Sequence, residues 1–180
     1  PLVGIPNYGE FVSVFYNADM LAANGMDIPT TFDEFTGMMD KFVAKGITPI
    51  VEAANDYPAQ HLMYMLALKK ADAQWIANFE GLKAPLDTAP FLYAGQTLQD
   101  WVKKGYISTD STGMNADDMT NQFMAGASPF VVGGTWLSTS YGNIKDFKAS
   151  PFLFPGQTYA PGPPGNSGRN RRRFRIESIP

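Results

Sequence analysis

A helix-dominated α/β fold with a few short strands is predicted by three features of the sequence. Apolar residues recur at helical spacing in several windows, most clearly at Phe35, Met38, Met39 and Phe42. Short β-branched and aromatic runs, Phe11–Asn17, Ile47–Val51 and Phe130–Val132, fall between those windows. Cap and stop residues separate the two kinds of segment: Thr31 before one helix, Thr88 before another, and Gly25, Gly46 and Gly105 after helical stretches.

The elements follow in order. Phe11–Asn17 reads as a buried strand, and Asn17–Ala23 as a short helix stopped by Gly25. Pro29-Thr30-Thr31 is a turn into a second helix. There Thr31 and Glu34 have the Thr-x-x-Glu spacing that satisfies free N–H groups at a helix start. Gly46 ends that helix and Ile47–Val51 forms a short strand. Glu52–Pro58 is a polar loop with an aromatic tip. Ala59–Ala71 is a helix with Leu62, Met65 and Leu66 facing inward, and Trp75, Ile76 and Phe79 continue the apolar pattern. Thr88 caps a further helix, with Pro90 in its first turn and Phe91, Leu98 and Val102 on its apolar side, up to Lys103-Lys104-Gly105. Ala116–Ala125 is another short helix. Phe130–Val132 is a strand that runs into Gly133-Gly134-Thr135-Trp136. Met20, Met38, Met39, Met63, Met65, Met119 and Met124 sit at helical spacing among other apolar groups and read as core filler.

Composition narrows the function. The chain has 180 residues, 44% of them hydrophobic and 17% charged, the shares of an ordinary globular domain. No run of about 20 apolar residues is present to span a bilayer. The absence of cysteine excludes disulfides, thiolate catalysis and Cys-based metal sites. Residues 1–168 hold nine Lys, no Arg and sixteen acids, a net charge of −7, and such an acidic body has no reason to seek nucleic acid. All five arginines lie between Arg169 and Arg175. From Pro155 onward Pro and Gly dominate and little remains that could pack, so residues 156–180 are expected to be poorly ordered.

Several segments together resemble extracellular solute-binding proteins of family 1, the sugar-binding components of ABC importers. The resemblance is carried by Tyr16-Asn17-Ala18-Asp19-Met20-Leu21-Ala22-Ala23-Asn24-Gly25 and by Ile28-Pro29-Thr30-Thr31-Phe32-Asp33-Glu34-Phe35. In the same order follow Gly46-Ile47-Thr48-Pro49-Ile50, Gly105-Tyr106-Ile107, Phe123-Met124-Ala125-Gly126-Ala127, Gly133-Gly134-Thr135-Trp136 and Phe154-Pro155-Gly156. Each motif is common by itself; their shared order and spacing over residues 5 to 166 are specific. Pro129 and the pair Ala127-Ser128 depart from the family pattern.

The resemblance implies a periplasmic-binding-protein-like (type II) lobe within a longer two-lobed protein that holds its ligand between the lobes. On that basis residues 1–155 are expected to be the second lobe with its hinge crossings. The opening strands of the first lobe are expected before residue 1 and its return after residue 160. Residues 156–180 are expected to be an out-of-frame or truncation scar. The implied partners are a sugar or oligosaccharide and the membrane subunits of an ABC permease, with the protein acting as a monomer outside the cell or in the periplasm. In its full-length form it is expected to be a membrane-anchored lipoprotein. No cofactor, no metal and no nucleic acid are expected.

Sugars present flat C–H faces and rings of hydroxyls, which proteins grip by aromatic stacking and by polar side chains. Trp136 is the leading candidate, because it follows Gly134 and Thr135 at a strand end where a ligand can approach closely, and the resemblance puts it at the cleft. The alternative is that it packs the strand end. Tyr8 and Glu10 precede the first strand, and the resemblance turns them toward the cleft; the alternative is an ordinary turn with a solvated acid. Asp56, Tyr57 and His61 resemble the family's loop and helix start, with Tyr57 where the family often has Trp. Asp56 is equally a helix-start residue, and a lone histidine such as His61 is more often a structural hydrogen-bonder than a ligand contact. Enzyme signatures are missing: no Gly-x-Ser-x-Gly, no phosphate-cradling Gly-x-x-x-x-Gly-Lys and no Gly-x-Gly-x-x-Gly occurs. A non-enzymatic binding role is therefore expected, with a carbohydrate-active hydrolase using two carboxylates as the alternative.

Overall fold

The computed structural model describes residues 9–155. Tyr8 and the Arg-rich segment lie outside the described residues. Four strands form one sheet in the order β2-β3-β1-β4. Strand β1 (Val12–Asn17) runs antiparallel to β3 (Phe130–Gly134) on one side and to β4 (Ala149–Phe152) on the other, while β2 (Ile50–Val51) pairs parallel to β3. Alternation along β1 sends Val14 to one face and Phe15 to the other, and both are buried. The sheet therefore needs cover on both sides.

One face is covered by α2 (Phe32–Val43), α3 (Pro58–Lys70) and α5 (Ala89–Lys103). Their buried side chains Phe35, Met39, Phe42, Leu62, Leu66 and Trp101 join Val14, Ile50 and Phe130 in the main core. Phe35 lies at its centre, with its ring 5.1 Å from that of Phe130 and 6.1 Å from that of Trp101, both edge-on. The opposite face is covered by α6 (Ala116–Met124) and α7 (Ser138–Gly142), which pack Met119, Phe123 and Tyr141 on Phe15, Val51 and Val131. A third cluster forms where α4 (Ala73–Glu80) stacks Trp75 on Phe79, 5.2 Å apart.

The helix starts follow their sequence signals in most places. Asn17 ends β1 and caps α1 (Ala18–Ala23), its side chain accepting from Met20 N at 2.9 Å. Thr31 and Glu34 form the reciprocal capping box of α2. Asp72 accepts from Trp75 N and starts α4, which divides what the sequence reads as one continuing apolar pattern into two helices.

Four expectations are corrected. The strand anticipated over Ile47–Val51 begins only at Ile50, because the amides of Gly46 and Ile47 donate to the carbonyls of Val43 and Phe42 at the end of α2, and Pro49 has no amide. Thr88 makes no side-chain cap; Asp87 accepts from Ala89 N instead. The fully buried side of α5 is Pro90, Ala94 and Trp101, with Phe91, Leu98 and Val102 only partly covered. Phe11 is 70% exposed and lies before the strand rather than inside it.

Candidate functional site

Strand β2 runs parallel to the start of β3 and ends at Val51 opposite Val131, while β3 continues to Gly134; the segments that leave the two strands carry the site. After β3 the chain makes one 3-10 turn, Thr135–Leu137. Thr135 closes the sheet end: its amide donates to Phe11 O at 2.9 Å, and its Oγ1 accepts from Phe11 N at 3.2 Å. Its hydroxyl is thus engaged with backbone. The indole of Trp136 then folds back over Gly134, so closely that a Cβ on Gly134 would lie 1.8 Å from the ring's Cζ3. Gly134 therefore serves as the bed of the indole.

After β2, the loop Glu52–Tyr57 leads into α3. Asp56 accepts from Tyr57 N with Oδ1 at 2.7 Å and from Ala116 N, at the start of α6, with Oδ2 at 3.4 Å. Asp56 thus ties the loop to α6 instead of capping α3, whose N-cap is Tyr57. Tyr57 and His61, one turn apart, bring their rings within 5.4 Å of each other. Both meet Trp136: His61 at 5.6 Å and Tyr57 at 6.4 Å. Tyr57 is 39% and Trp136 38% exposed, so the cluster shows part of its ring area to solvent. Burial holds the His61 imidazole below its ordinary value, and its Nδ1 is buried without a hydrogen-bond partner among the described residues. At neutral pH this ring is uncharged and aromatic, with an unused nitrogen.

Of the sequence-selected residues, the structure brings together Trp136, Tyr57 and His61 above Gly134, with Thr135 and Asp56 holding the two segments in place. Glu10 is exposed just before Phe11, the residue that Thr135 binds. Tyr8 lies outside the described residues. Tyr141 on α7 is a core residue, set edge-on to Phe15 at 4.9 Å and Phe123 at 5.0 Å. Sequence reasoning passed over Glu52. It is 3% exposed, its Oε1 accepts from Ala53 N at 2.9 Å, and its Oε2 is buried without a partner. Burial pushes its carboxyl up to about 8, opposed by the Ala53 amide. The available signal was an acid directly following the apolar pair Ile50-Val51 at a strand end.

Among the described residues no three His, Cys, Asp or Glu side chains converge as a metal site, and no helix is long and apolar enough to cross a membrane. The arrangement offers ring faces and neutral hydrogen-bonding groups, which suits an uncharged ligand with C–H faces and hydroxyls.

No curated protein matches the sequence. Solved structures do resemble the fold. One, from work on xylan utilisation by the thermophilic bacterium Caldanaerobius polysaccharolyticus, has a TM-score of 0.74 at 24% identity, covering 82% of this chain and 40% of that one. A chitin oligosaccharide binding protein gives 0.72 at 26% identity, covering 87% and 41%. The solute-binding protein RafE in complex with raffinose gives 0.63 at 24% identity, covering 82% and 40%. The chain thus spans about two fifths of the length of these structures. The model for the family described as bacterial extracellular solute-binding protein matches residues 3–172, nearly the whole sequence, and the chain belongs to that family.

Proposed function

We propose that this chain forms one lobe of a sugar receptor that serves an ABC importer, and that the rings of Trp136 and Tyr57 stack on the sugar. The observation that carries the reading is the cluster of Tyr57, His61 and Trp136 on the segments that leave β2 and β3, half-exposed and free of charge. A stacked aromatic face binds the C–H side of a pyranose, and neutral polar side chains pair with its hydroxyls. Similar structures whose names refer to raffinose, stachyose or chitin oligosaccharide support the class of ligand. The role is binding and delivery, with no covalent step. The family supports a location outside the cytoplasmic membrane, and the likeness to a probable secreted solute-binding lipoprotein from Streptomyces coelicolor supports lipid anchoring of the complete protein. In that complete protein residues 1–155 act as the second lobe, and the liganded form is handed to permease subunits.

Isothermal titration against raffinose, stachyose, xylo-oligosaccharides and chito-oligosaccharides tests the proposal, first with this chain and then with the chain joined to a complementary lobe. Binding of at least one sugar is expected. Trp136→Ala should weaken it by about tenfold or more, since an aromatic contact of this kind is worth roughly 1–2 kcal/mol. Its melting temperature should hardly change, because the ring is already partly in water. Silence toward every sugar in the two-lobed form, or full affinity in Trp136→Ala, refutes the reading.

A further inference from the structure

Glu52 stands at the root of the loop that carries Tyr57, and its surroundings suit an uncharged acid. It is 3% exposed and lines a cavity of about 330 Å³ beside β2. The other side chains on that cavity, including Thr48, Ser108, Met114, Gln122 and Ser128, are neutral. One carboxyl oxygen takes the Ala53 amide and the other has no partner among the described residues. We propose that Glu52, held with its proton, is the positioning residue of the aromatic platform, and that loss of this proton shifts the loop and parts Tyr57 from His61 and Trp136.

The connection runs through a short series of bonds. Ala53, whose amide Glu52 holds, offers its carbonyl to Ala59 N at 3.0 Å in the first turn of α3. The following amides are tied to the segment before α6: Ala54 N donates to Ser111 O at 2.8 Å and Asn55 N to Met114 O at 3.2 Å. Tyr57 and His61 therefore hang from a loop fixed at its root by Glu52 and at its middle by residues 111–114. An ionised carboxylate in this place has one amide donor and no cation on its cavity, so it is drawn toward water and pulls on Ala53.

The titratable groups around it are few. Tyr141 on α7 is pushed up to about 12, chiefly by burial, with the charges of Tyr57 and Glu52 adding to the effect. Burial holds the His61 imidazole on α3 below its ordinary value. Burial places the Glu52 transition near pH 8.

The test reads Trp136 without any ligand. Acrylamide quenching of the full chain is followed from about pH 6 to about pH 9.5, with Trp136→Phe subtracted to remove the signal of Trp75 and Trp101. The wild type should show a transition near pH 8, with its quenching constant rising about twofold, and E52Q should stay at the low-pH value throughout. A flat wild-type profile, or the same transition in E52Q, overturns the proposal. The wild type alone supplies a second measurement: the infrared carboxylic-acid band should be present at neutral pH and vanish through the same transition. Its absence at neutral pH also overturns the proposal. A ligand arm, which rests on the sugar-binding reading, titrates raffinose in the two-lobed form and expects about tenfold weaker binding above the transition in wild type but not in E52Q. If no sugar binds at any pH, the sugar reading fails while the quenching result still decides the role of Glu52.

Discussion

The indole of Trp136 lies against the end of β3 because residue 134 has no side chain. A Cβ there would sit 1.8 Å from the ring, and at Gly133 it would sit 2.6 Å from Leu137 Cδ1. The two glycines are therefore packing devices that let a large ring and a leucine fold back on a buried strand. Gly134→Ala should displace the indole, since the ring cannot share that volume with a methyl group. The expected outcome is a raised acrylamide quenching constant for Trp136 and at least a tenfold loss of sugar affinity, in a chain whose far-UV circular dichroism is unchanged. Unaltered quenching in that variant would show that the ring does not depend on the glycine. At this scale the sequence was informative about Trp136 and Tyr57 and silent about Glu52. An aromatic residue after a strand and two glycines is visible in one dimension. Whether an acid at a strand end points to water or is buried beside a cavity depends on residues more than 50 positions away, such as Ser108, Met114 and Gln122.

Among the elements, α2 shows local signals at full strength. Thr31 Oγ1 accepts from Glu34 N at 3.1 Å, and Glu34 Oε2 returns to the amides of Thr30 and Thr31 and to the Thr30 hydroxyl. Those donors, the Thr30 amide foremost, hold the Glu34 carboxyl below its ordinary value. Thr31→Ala should cost about 1 kcal/mol, seen as a fall of roughly 2–4 °C in melting temperature. For Glu34 the folded value is the lower one, so its stabilisation is complete above the unfolded value of 4.5 and is lost as pH falls through the folded value. The stability difference between wild type and Glu34→Gln should accordingly shrink in strong acid; a constant difference down to that range would mean that the carboxylate takes no part in the box. Strand β4 is the opposite case. Ala149-Ser150-Pro151-Phe152 has little strand propensity and contains a proline, yet it pairs with β1 from Val14 to Asn17. It occupies the edge of the sheet, where a proline is tolerated. Nothing within those four residues announces the pairing; β1 supplies it.

Across the whole molecule, the sheet separates a large core under α2, α3 and α5 from a smaller one under α6 and α7, and the aromatic cluster sits on the segments that leave β2 and β3. Burial of Glu52 reaches this scale through proton linkage. Its folded value, about 8, exceeds the unfolded 4.5, so the native state holds the proton more tightly. Stability from this group is therefore complete below pH 4.5, declines as pH rises through the interval to about 8, and is level beyond it. Urea unfolding of wild type and E52Q across that range should show the wild type losing ground to the variant with rising pH, which removes the contributions of Glu34 and His61 common to both. A difference that does not change with pH would place the Glu52 carboxyl in water.

Sequence by itself determined the helix-rich α/β class, the stop of α1 at Gly25, the capped start and apolar face of α2 and the family, because caps, stops, periodicity and ordered motifs act over a few residues each. It also put Trp136, Tyr57 and His61 forward as separate candidates. The tertiary structure decided that these three rings meet, that Tyr141 belongs to the core, and that Glu52 is buried. The reason is physical: ring contacts at 5.4 to 6.4 Å and desolvation of a carboxyl are set by which segments pack side by side. Here β2 and β3 lie next to each other while about 80 residues, α3 to α6 among them, separate them along the chain.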